Sequence, residues 1–269
     1  MNKNAIVTGV SSGIGHELAV QLIREHGYTV IGCARKEAPL RALEAQFNGR
    51  FIPIIGDVRD HEVQQALMDK AFELGGLHLM INNAGRNLYS AADTTDLAQA
   101  RELLEINVIA LTELTLRALP LLKQTRGTLV NMGSVNGYLA VPFNSIYTGS
   151  KHYVVGFTRG VHMDMRGSGV RVLAINPAGV DTHIHAAALD DEALGEKLNR
   201  SFMAAPVTKT VRSMLQQIET RRGPWVFPDA SARLGSMLGR RHPWLMDRVM
   251  GTAVRWQLRR LLGNHIGPA

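Results

Sequence analysis

The chain of 269 residues is 45% hydrophobic, 20% charged and 6% aromatic, which is an ordinary composition for a globular protein. Its single cysteine, Cys33, excludes an internal disulfide and argues against a cysteine-based metal site, and its apolar surroundings favour a buried thiol. No apolar run reaches the ~20 residues that a membrane-spanning helix needs, and the first residues do not have the pattern of a signal peptide.

The net charge of +7 is concentrated near the C-terminus. Residues 233–269 contain seven arginines and one acidic residue, Asp247, so this segment carries +6 of the total. The remainder of the chain is therefore nearly neutral. A basic isoelectric point is not evidence here for a nucleic-acid partner, and we expect none.

Short runs rich in Val, Ile and Leu alternate with helical patterns along the first 228 residues. The predicted strands, in chain order, are 4–9, 28–34, 51–58, 77–85, 127–134, 170–177 and the short 224–228. The predicted helices are 14–26, 39–47, 63–74, 97–123, 146–166 and 207–220. This alternation is typical of an α/β fold with a doubly wound parallel sheet flanked by helices. We expect a single domain over residues 1–230, followed by a basic helical C-terminal extension over 231–269.

The first predicted strand leads directly into a glycine loop, "TGVSSGIG" at residues 8–15, and then into a helix. Glycines let the backbone approach a pyrophosphate closely, and the following helix offers free N–H groups to it. The alternative is a tight strand–helix turn that needs glycine only for its dihedral angles. The strand–loop–helix context favours a Rossmann-type dinucleotide site.

The second strand ends in "CARK", in which Arg35 and Lys36 stand where a carboxylate often binds the ribose hydroxyls of NAD. A guanidinium can bind a 2′-phosphate through two hydrogen bonds, whereas an acid would repel it. We therefore predict NADP(H) as the cofactor, with Arg35 as the main contact and Ser11 or Lys36 assisting. The alternative is that both basic side chains are simply solvated.

Further motifs follow in order, and with them the chain resembles the short-chain dehydrogenase/reductase family over about residues 4–182. The matching positions are Thr8, Gly9, Gly13 and Gly15 in the loop, Asp57-Val58, Asn82-Asn83-Ala84-Gly85, Asn107, Ser134, Tyr147-x-x-x-Lys151, Pro177, Val180 and Thr182. The chain departs from the pattern at Ala178, which takes the usual glycine place, with the glycine at Gly179.

The glycine loop, the end of the second strand and the resemblance together give a predicted cofactor-binding set. It comprises Thr8, Gly9, Ser11, Ser12, Gly13, Ile14, Gly15, Arg35, Lys36, Asp57, Val58, Asn83, Ala84, Gly85, Tyr147, Lys151, Pro177, Gly179, Val180 and Thr182.

Tyr147 and Lys151 lie one turn apart on one face of a predicted helix. A free tyrosine has a pKa of ~10, and a neighbouring ammonium or an oxidised nicotinamide favours its phenolate. We predict Tyr147 as general acid in reduction and general base in oxidation, and Ser134 as a donor to the substrate oxygen. The resemblance implies that Lys151 binds the nicotinamide ribose and that Asn107 holds a proton-relaying water in a helix kink. The alternatives are that Ser134 only caps a turn and that Asn107 lies at the surface.

Residues 183–205 occupy the position of the family's substrate loop. Apolar side chains that could line a pocket, and so favour a lipophilic ketone, aldehyde or alcohol, are Val141, Pro142, Phe143, Phe202 and Met203. We expect interconversion of a carbonyl and an alcohol by hydride transfer; the alternative is a catalytically silent NADP(H)-binding sensor or scaffold. His183 and His185 are too few for a metal site, and no metal is predicted.

Beyond Pro243, apolar residues recur at helical spacing with arginines between them, and Gly263 is a plausible stop. This basic amphipathic helix could pack on the protein, make a weak peripheral contact with an anionic membrane, or border the active site. The resemblance also implies a homo-oligomer, a dimer or a tetramer, with the helices that start near Ile146 and Val207 as interface candidates. We expect a cytoplasmic protein, with or without that membrane contact.

Overall fold

The computed structural model describes residues 3–182, 184, 188, 192–201, 204–220 and 223–263. Its centre is a sheet of seven parallel strands in the order β3-β2-β1-β4-β5-β6-β7. The strands are β1 (Lys3–Thr8), β2 (Tyr28–Ala34), β3 (Phe51–Ile55), β4 (Leu79–Asn82), β5 (Thr128–Met132), β6 (Arg171–Ile175) and β7 (Trp225–Val226). The order changes direction between β1 and β4, and ligands of such sheets bind in the crevice that opens there.

Helices cover both faces of the sheet and continue into the C-terminal extension. They are α1 (Gly13–Arg24), α2 (Glu37–Phe47), α3 (His61–Glu73), α4 (Leu97–Leu104), α5 (Leu111–Thr125), α6 (Ser145–Asp164), α7 (Glu192–Ser201), α8 (Val207–Thr220), α9 (Ala230–Arg241), α10 (Pro243–Val249) and α11 (Arg255–Leu262). A short 3₁₀ turn spans Val135–Gly137, and π-helical segments span Glu105–Ala110 and Met250–Val254.

The central strand β1 is buried on both faces. Ala5 and Val7 pack into one apolar core with α1, α2 and α8, while Ile6 packs into a second core with α3, α5 and α6. Successive residues of a strand point to opposite faces, so a two-sided core requires a nearly continuous apolar run. The predicted doubly wound, Rossmann-type α/β fold is confirmed.

The predicted helix over 97–123 is divided in the structure. It consists of α4, a π-helical segment and α5, and α5 continues past Pro120 to Thr125. A π turn inserts one extra residue into a helix and changes the direction of the side chains around it. Asn107 lies in this segment and is almost completely buried.

Five predicted strands were too long. Two of them, 170–177 and 224–228, end as strands at Ile175 and Val226. The runs 51–58, 77–85 and 127–134 end as strands at Ile55, Asn82 and Met132. Their last residues form loops at the carboxyl edge of the sheet. Those loop residues include the motifs on which the functional predictions depend.

The C-terminal extension is helical, as predicted, but its first helix was missed. Asp229 caps α9 by accepting a hydrogen bond from the backbone N–H of Ala232 at 2.8 Å. The helix packs so closely on the turn after β5 that a Cβ at Gly239 would lie 2.3 Å from the carbonyl oxygen of Tyr138. Further along, α11 ends at Gly263, the predicted stop. No described helix is both long and apolar enough to cross a bilayer.

Candidate active site

The carboxyl ends of β1 and β4 are tied together by side-chain hydrogen bonds. Thr8 Oγ1 accepts from the backbone N–H groups of Asn83, at 3.0 Å, and Ala84, at 2.9 Å. Asn83 Nδ2 donates in return to the Thr8 carbonyl at 2.8 Å. These bonds fix the two loops that flank the crevice, so Thr8 acts as a structural tie.

The glycine loop requires glycine at particular positions. Gly9 has a φ of 75°, in the left-handed region that L side chains rarely adopt. A Cβ at Gly15 would lie 2.2 Å from the Gly9 carbonyl oxygen, so the start of α1 packs directly on the loop. The close packing leaves the N-terminus of α1 facing the crevice, where its free N–H groups suit a phosphate.

A cavity of about 490 Å³ opens over this loop. Most of the predicted cofactor-binding residues line it. They are Gly9, Ser11, Ser12, Gly13, Ile14, Gly15, Arg35, Lys36, Asp57, Val58, Asn83, Ala84, Gly85 and Thr182. Their common location makes the cavity a fitting site for a dinucleotide.

Three other predicted residues lie in the loop after β6, outside the lining of this cavity. The Pro177 carbonyl accepts a hydrogen bond from Val135 N at 3.0 Å, beside Ser134, a predicted catalytic residue. The Gly179 carbonyl accepts from Ala205 N at 2.9 Å, and Val180 forms a bridge with Ala205. These bonds anchor the loop between the catalytic turn and the end of the substrate loop.

Several lining residues were not predicted from the sequence: Cys33, Ala34, Gly56, Arg86, Asn87, Glu102, Ile106, Ile184 and Ala188. For two of them, the position in the sequence could have indicated a role at the site. Arg86 directly follows the Asn-Asn-Ala-Gly motif, and Glu102 stands one turn before Ile106 on the helix that carries Asn107. Cys33 is buried as predicted, and burial raises the pKa of its thiol to about 12.

One end of the cavity contains a network of charged groups. Arg35 Nη1 lies 3.9 Å from carboxylate oxygens of both Asp57 and Glu102. Arg59 donates to Asp57 at 2.8 and 3.1 Å, which lowers the pKa of the Asp57 carboxyl, and Arg86 donates to Glu102. Contacts of 3.9 Å are too long for hydrogen bonds. The exposed Arg35 donors therefore remain available to an oxyanion such as a 2′-phosphate.

The four predicted catalytic residues lie around the carboxyl ends of β4 and β5. Lys151 Nζ donates to the Met132 carbonyl at 2.7 Å and lies 5.5 Å from the centre of the Tyr147 ring. Ser134 forms a side-chain hydrogen bond with Tyr147 and also accepts from Asn136 N at 3.1 Å. Ser134 thus caps the turn, as the alternative proposed, and also contacts the predicted acid.

Asn107 holds two other parts of the site together. Its Nδ2 donates to the Arg86 carbonyl at 2.9 Å and to Ser150 Oγ at 3.2 Å, while its Oδ1 accepts from Arg86 N at 2.9 Å. Ser150 Oγ donates to the Tyr147 carbonyl at 2.7 Å. The surface alternative for Asn107 is wrong, because the π-helical segment directs its side chain inward.

Burial dominates the protonation of the catalytic pair. It raises the pKa of Tyr147 to about 12, although the hydrogen bond with Ser134 opposes this shift, and it lowers the pKa of Lys151 to about 8. The direction for Tyr147 is the reverse of the sequence expectation, because desolvation of the phenolate is the largest influence on its pKa. At neutral pH, Tyr147 is therefore protonated and Lys151 still carries most of its charge.

An apolar cluster lies beside the loop that leads into α6, the helix that carries Tyr147, and is called here the cleft cluster. It contains the buried side chains Tyr89, Leu194, Leu198, Leu258 and Leu262, with the partly buried Val141, Phe143, Ala188, Val254 and Leu261 packed against them. Ala188 of the cluster also lines the cofactor cavity, and Asn144, three residues before Tyr147, donates to the Leu88 carbonyl beside Tyr89 at 2.8 Å, so the cluster lies next to the candidate site. The C-terminal helix α11 therefore packs on the protein and borders the active site.

The histidines are the remaining candidates for catalytic or metal-binding residues, and the structure gives the described ones no such role. His152 and His162 are helix residues whose Nδ1 atoms lie 3.0 and 3.3 Å from backbone carbonyl oxygens. Among the described residues, no group of three or more His, Cys, Asp or Glu side chains could hold a metal ion. His183, His185, Phe202 and Met203 lie outside the described residues.

Comparison with known proteins identifies the family of the chain. A model of the short chain dehydrogenase family matches residues 3–193. The NADPH-dependent 1-acyldihydroxyacetone phosphate reductase of Saccharomyces cerevisiae is 35% identical over 187 residues, which cover 68% of this chain and 62% of the reductase. The chain thus spans less than two thirds of that relative's length. Serine 3-dehydrogenase of Rhizobium radiobacter is 30% identical over 184 residues, 68% of this chain and 74% of that enzyme.

A solved structure gives the same result over a larger part of the fold. A short-chain dehydrogenase from Sphingobium yanoikuyae, in complex with NADPH, is 26% identical, with a TM-score of 0.77. The alignment covers 91% of this chain and 95% of that one. With the matching family model and two curated relatives at 30% identity or more, the chain belongs to the short-chain dehydrogenase family.

Proposed function

We propose that this protein is an NADP(H)-dependent oxidoreductase that reduces a lipophilic ketone or aldehyde to an alcohol. The observation that carries the proposal is the convergence of Ser134, Tyr147 and Lys151. Ser134 forms a hydrogen bond with Tyr147, and the Lys151 ammonium lies 5.5 Å from the centre of the Tyr147 ring. The NADPH named for the yeast relative and for the Sphingobium structure supports the choice of cofactor. The exposed Arg35 at the end of the cavity supports it independently.

The reaction needs a hydride, a proton and stabilisation of the charge that develops, and different groups supply each of them. Bound NADPH supplies the hydride. Ser134 donates a hydrogen bond to the substrate oxygen, where negative charge develops, and Tyr147 gives that oxygen its proton. The buried ammonium of Lys151 stabilises the phenolate that remains, and Asn107 keeps the helix of Tyr147 in register with the loop after β4.

The cleft cluster supports a lipophilic substrate. Its side chains are aliphatic or aromatic and come from the loop after β4, the loop before α6, α7 and α11. The yeast relative is named for an acylated ketone substrate, which is consistent with an apolar wall. A panel of ketones with increasing chain length, with NADPH consumption as the readout, tests the proposal. Turnover that does not rise with chain length would contradict the lipophilic preference.

The alternative is a catalytically silent NADP(H)-binding sensor or scaffold. A silent protein has no need of Asn107, Ser134, Tyr147 and Lys151 together, and this argument favours an enzyme. NADPH binding without consumption across the whole panel would favour the silent alternative.

Glu102 is expected to compete with the cofactor's 2′-phosphate for Arg35 and Arg86. Replacing Glu102 by glutamine should tighten NADPH binding several-fold at low salt, because a neutral amide competes less for the guanidiniums, and should leave NADH binding unchanged. Fluorescence titration of both nucleotides measures this. Glu105→Gln is the matched control, since Glu105 contacts Arg59 but neither of these arginines. Equal effects of Glu102→Gln on NADH and NADPH would refute the competition.

We further propose a cytoplasmic homo-oligomer with a weak peripheral membrane contact. The single buried thiol is compatible with a reducing compartment.

Exposed apolar side chains on and beside α6, namely Ile109, Leu116, Tyr153 and Met163, support α6 as an interface between subunits. Exposed large apolar side chains do not occur on the described residues of α8, so support for that helix is weaker. Light scattering at micromolar concentration separates a monomer from a dimer or tetramer.

The membrane contact is proposed for the outer strip of the tail, defined as Trp244, Leu245, Val249 and Trp256. Trp244 is 68% exposed and Trp256 is 66% exposed, while the opposite side of the tail packs on the cleft cluster. Arginines surround the strip, so like charges disfavour a second copy of the tail and an anionic bilayer complements it.

The contact predicts salt-sensitive co-sedimentation with anionic vesicles. Replacing Trp244 and Trp256 by serine should abolish it, because the aromatic rings are the groups that enter the interface. Phe72 on α3 is also 68% exposed, so Phe72→Ser removes an equally exposed aromatic side chain outside the tail. This control should not change vesicle binding. Protein that stays in the supernatant at low salt would leave the tail with its packing role alone.

A further inference from the structure

Helix α11 forms one wall of the substrate cleft. Leu258 and Leu262 are almost completely buried in the cleft cluster, against Leu194, Leu198 and Tyr89. Residues that neighbour these leucines on the helix are therefore held at the edge of the cleft. Arg255 and Arg259 are such residues, one helical turn apart.

Both arginines face the same aromatic ring. The guanidinium carbons of Arg255 and Arg259 lie 5.7 and 5.9 Å from the centre of the Phe143 ring. Phe143 has a φ of 60°, a conformation that is rare for a bulky residue, and its carbonyl accepts a hydrogen bond from Ser90 N at 2.9 Å. The loop therefore holds the ring in place four residues before Tyr147, beneath both guanidiniums.

Neither guanidinium forms an ion pair with a carboxylate in the part of the chain that the structure describes. Both side chains are exposed, and the ion pairs of the described residues include no carboxylate within 4.0 Å of either one. The tail's acid, Asp247, forms none of these pairs, and on the neighbouring α7 Glu196 pairs with Arg200 instead. Two like charges one turn apart destabilise a helix slightly, and contact with the partly buried Phe143 ring offsets this only in part. Their convergence on one ring matches the needs of an oxyanion, which two guanidiniums can bind together.

We propose that Arg255 and Arg259 bind an oxyanion carried by the substrate, a phosphate or carboxylate located away from the reacting carbonyl. This inference rests on the proposed reduction of a lipophilic carbonyl and adds a substrate class, an amphiphile with an anionic group. The apolar cleft cluster holds the chain, Tyr147 contacts the carbonyl oxygen, and the arginine pair holds the anion at the edge of the cleft.

The first test is a binding experiment that needs no turnover. Isothermal titration of the NADP-loaded protein with a medium-chain alkyl phosphate, below its micelle concentration, gives a Kd for the anion site. Arg255→Gln with Arg259→Gln should raise that Kd by about tenfold or more, the scale of losing charge-assisted hydrogen bonds, and the double lysine variant should fall between. Arg248→Gln removes an exposed tail arginine that contacts no aromatic ring or acid among the described residues, and this variant should bind the alkyl phosphate like wild type.

The second test compares a ketone that bears a phosphate with a neutral ketone of equal chain length. The double glutamine variant should raise KM for the anionic ketone and leave KM for the neutral one within about twofold, because only one of them uses the guanidiniums. Equal loss for both ketones, or an unchanged Kd for the alkyl phosphate, overturns the inference.

Two further outcomes distinguish failure of the anion-site inference from failure of the proposed reaction. If the double variant loses anionic vesicle binding but keeps its alkyl phosphate affinity, the pair contacts lipid headgroups and the inference is wrong. If no ketone is reduced by wild type while the alkyl phosphate binds through the arginines, the proposed reaction fails and the anion site stands.

Discussion

Replacing Tyr147 by phenylalanine should lower kcat for ketone reduction by about 10²–10⁴-fold, the usual contribution of a general acid. The change removes only the hydroxyl, the group that is protonated at neutral pH because burial raises its pKa to about 12. NADPH affinity should stay within about twofold, since the ring and the Lys151 ammonium remain. Stopped-flow reduction rates and fluorescence titration of NADPH measure the two quantities.

Tyr153→Phe is the matched control for this prediction. Tyr153 lies on the same helix, and its hydroxyl contacts only Thr112, at 3.0 Å, at the protein surface. Its removal should leave kcat unchanged. Retained turnover in Tyr147→Phe would show that Tyr147 is not the proton donor.

Replacing Arg35 by alanine should weaken NADPH binding by about 10–100-fold and leave NADH binding nearly unchanged, because charged hydrogen bonds to the 2′-phosphate are lost. The slope of NADPH affinity against salt concentration should fall as well. Titration of both nucleotides at two salt concentrations gives these values. Arg41→Ala, an exposed arginine on α2 that pairs with Glu37 and Glu44, is the control. Parallel losses for both nucleotides would mean that Arg35 does not recognise the 2′-phosphate.

The cofactor-binding loop could be predicted from the sequence because the residues of its motif are contiguous. The strand, the glycines of residues 8–15 and the following helix are contiguous, and β2 ends directly at Arg35. A contiguous motif needs no knowledge of which distant elements meet. Strand–helix alternation likewise requires only the apolar pattern of each segment.

Other features depend on tertiary contacts and were missed. Arg86 and Glu102 are 16 residues apart and meet only because α4 crosses the loop after β4. The π-helical segment around Asn107 has no simple sequence signal, and α9 is a short helix stabilised by its contact with Tyr138. The pKa of Tyr147 was expected to fall, because a sequence shows the neighbouring lysine but not the burial of the pair.

The match to the family model stops at residue 193, while Leu194, Leu198, Leu258 and Leu262 of the cleft wall all lie beyond it. The predicted cofactor-binding and catalytic residues therefore lie in one continuous stretch of the chain, and much of the cleft cluster lies in another. Substrate range can then diverge through changes in the last third of the chain without disturbing hydride transfer. For protein engineering, the C-terminal segment is a module whose exchange between related reductases should transfer substrate preference.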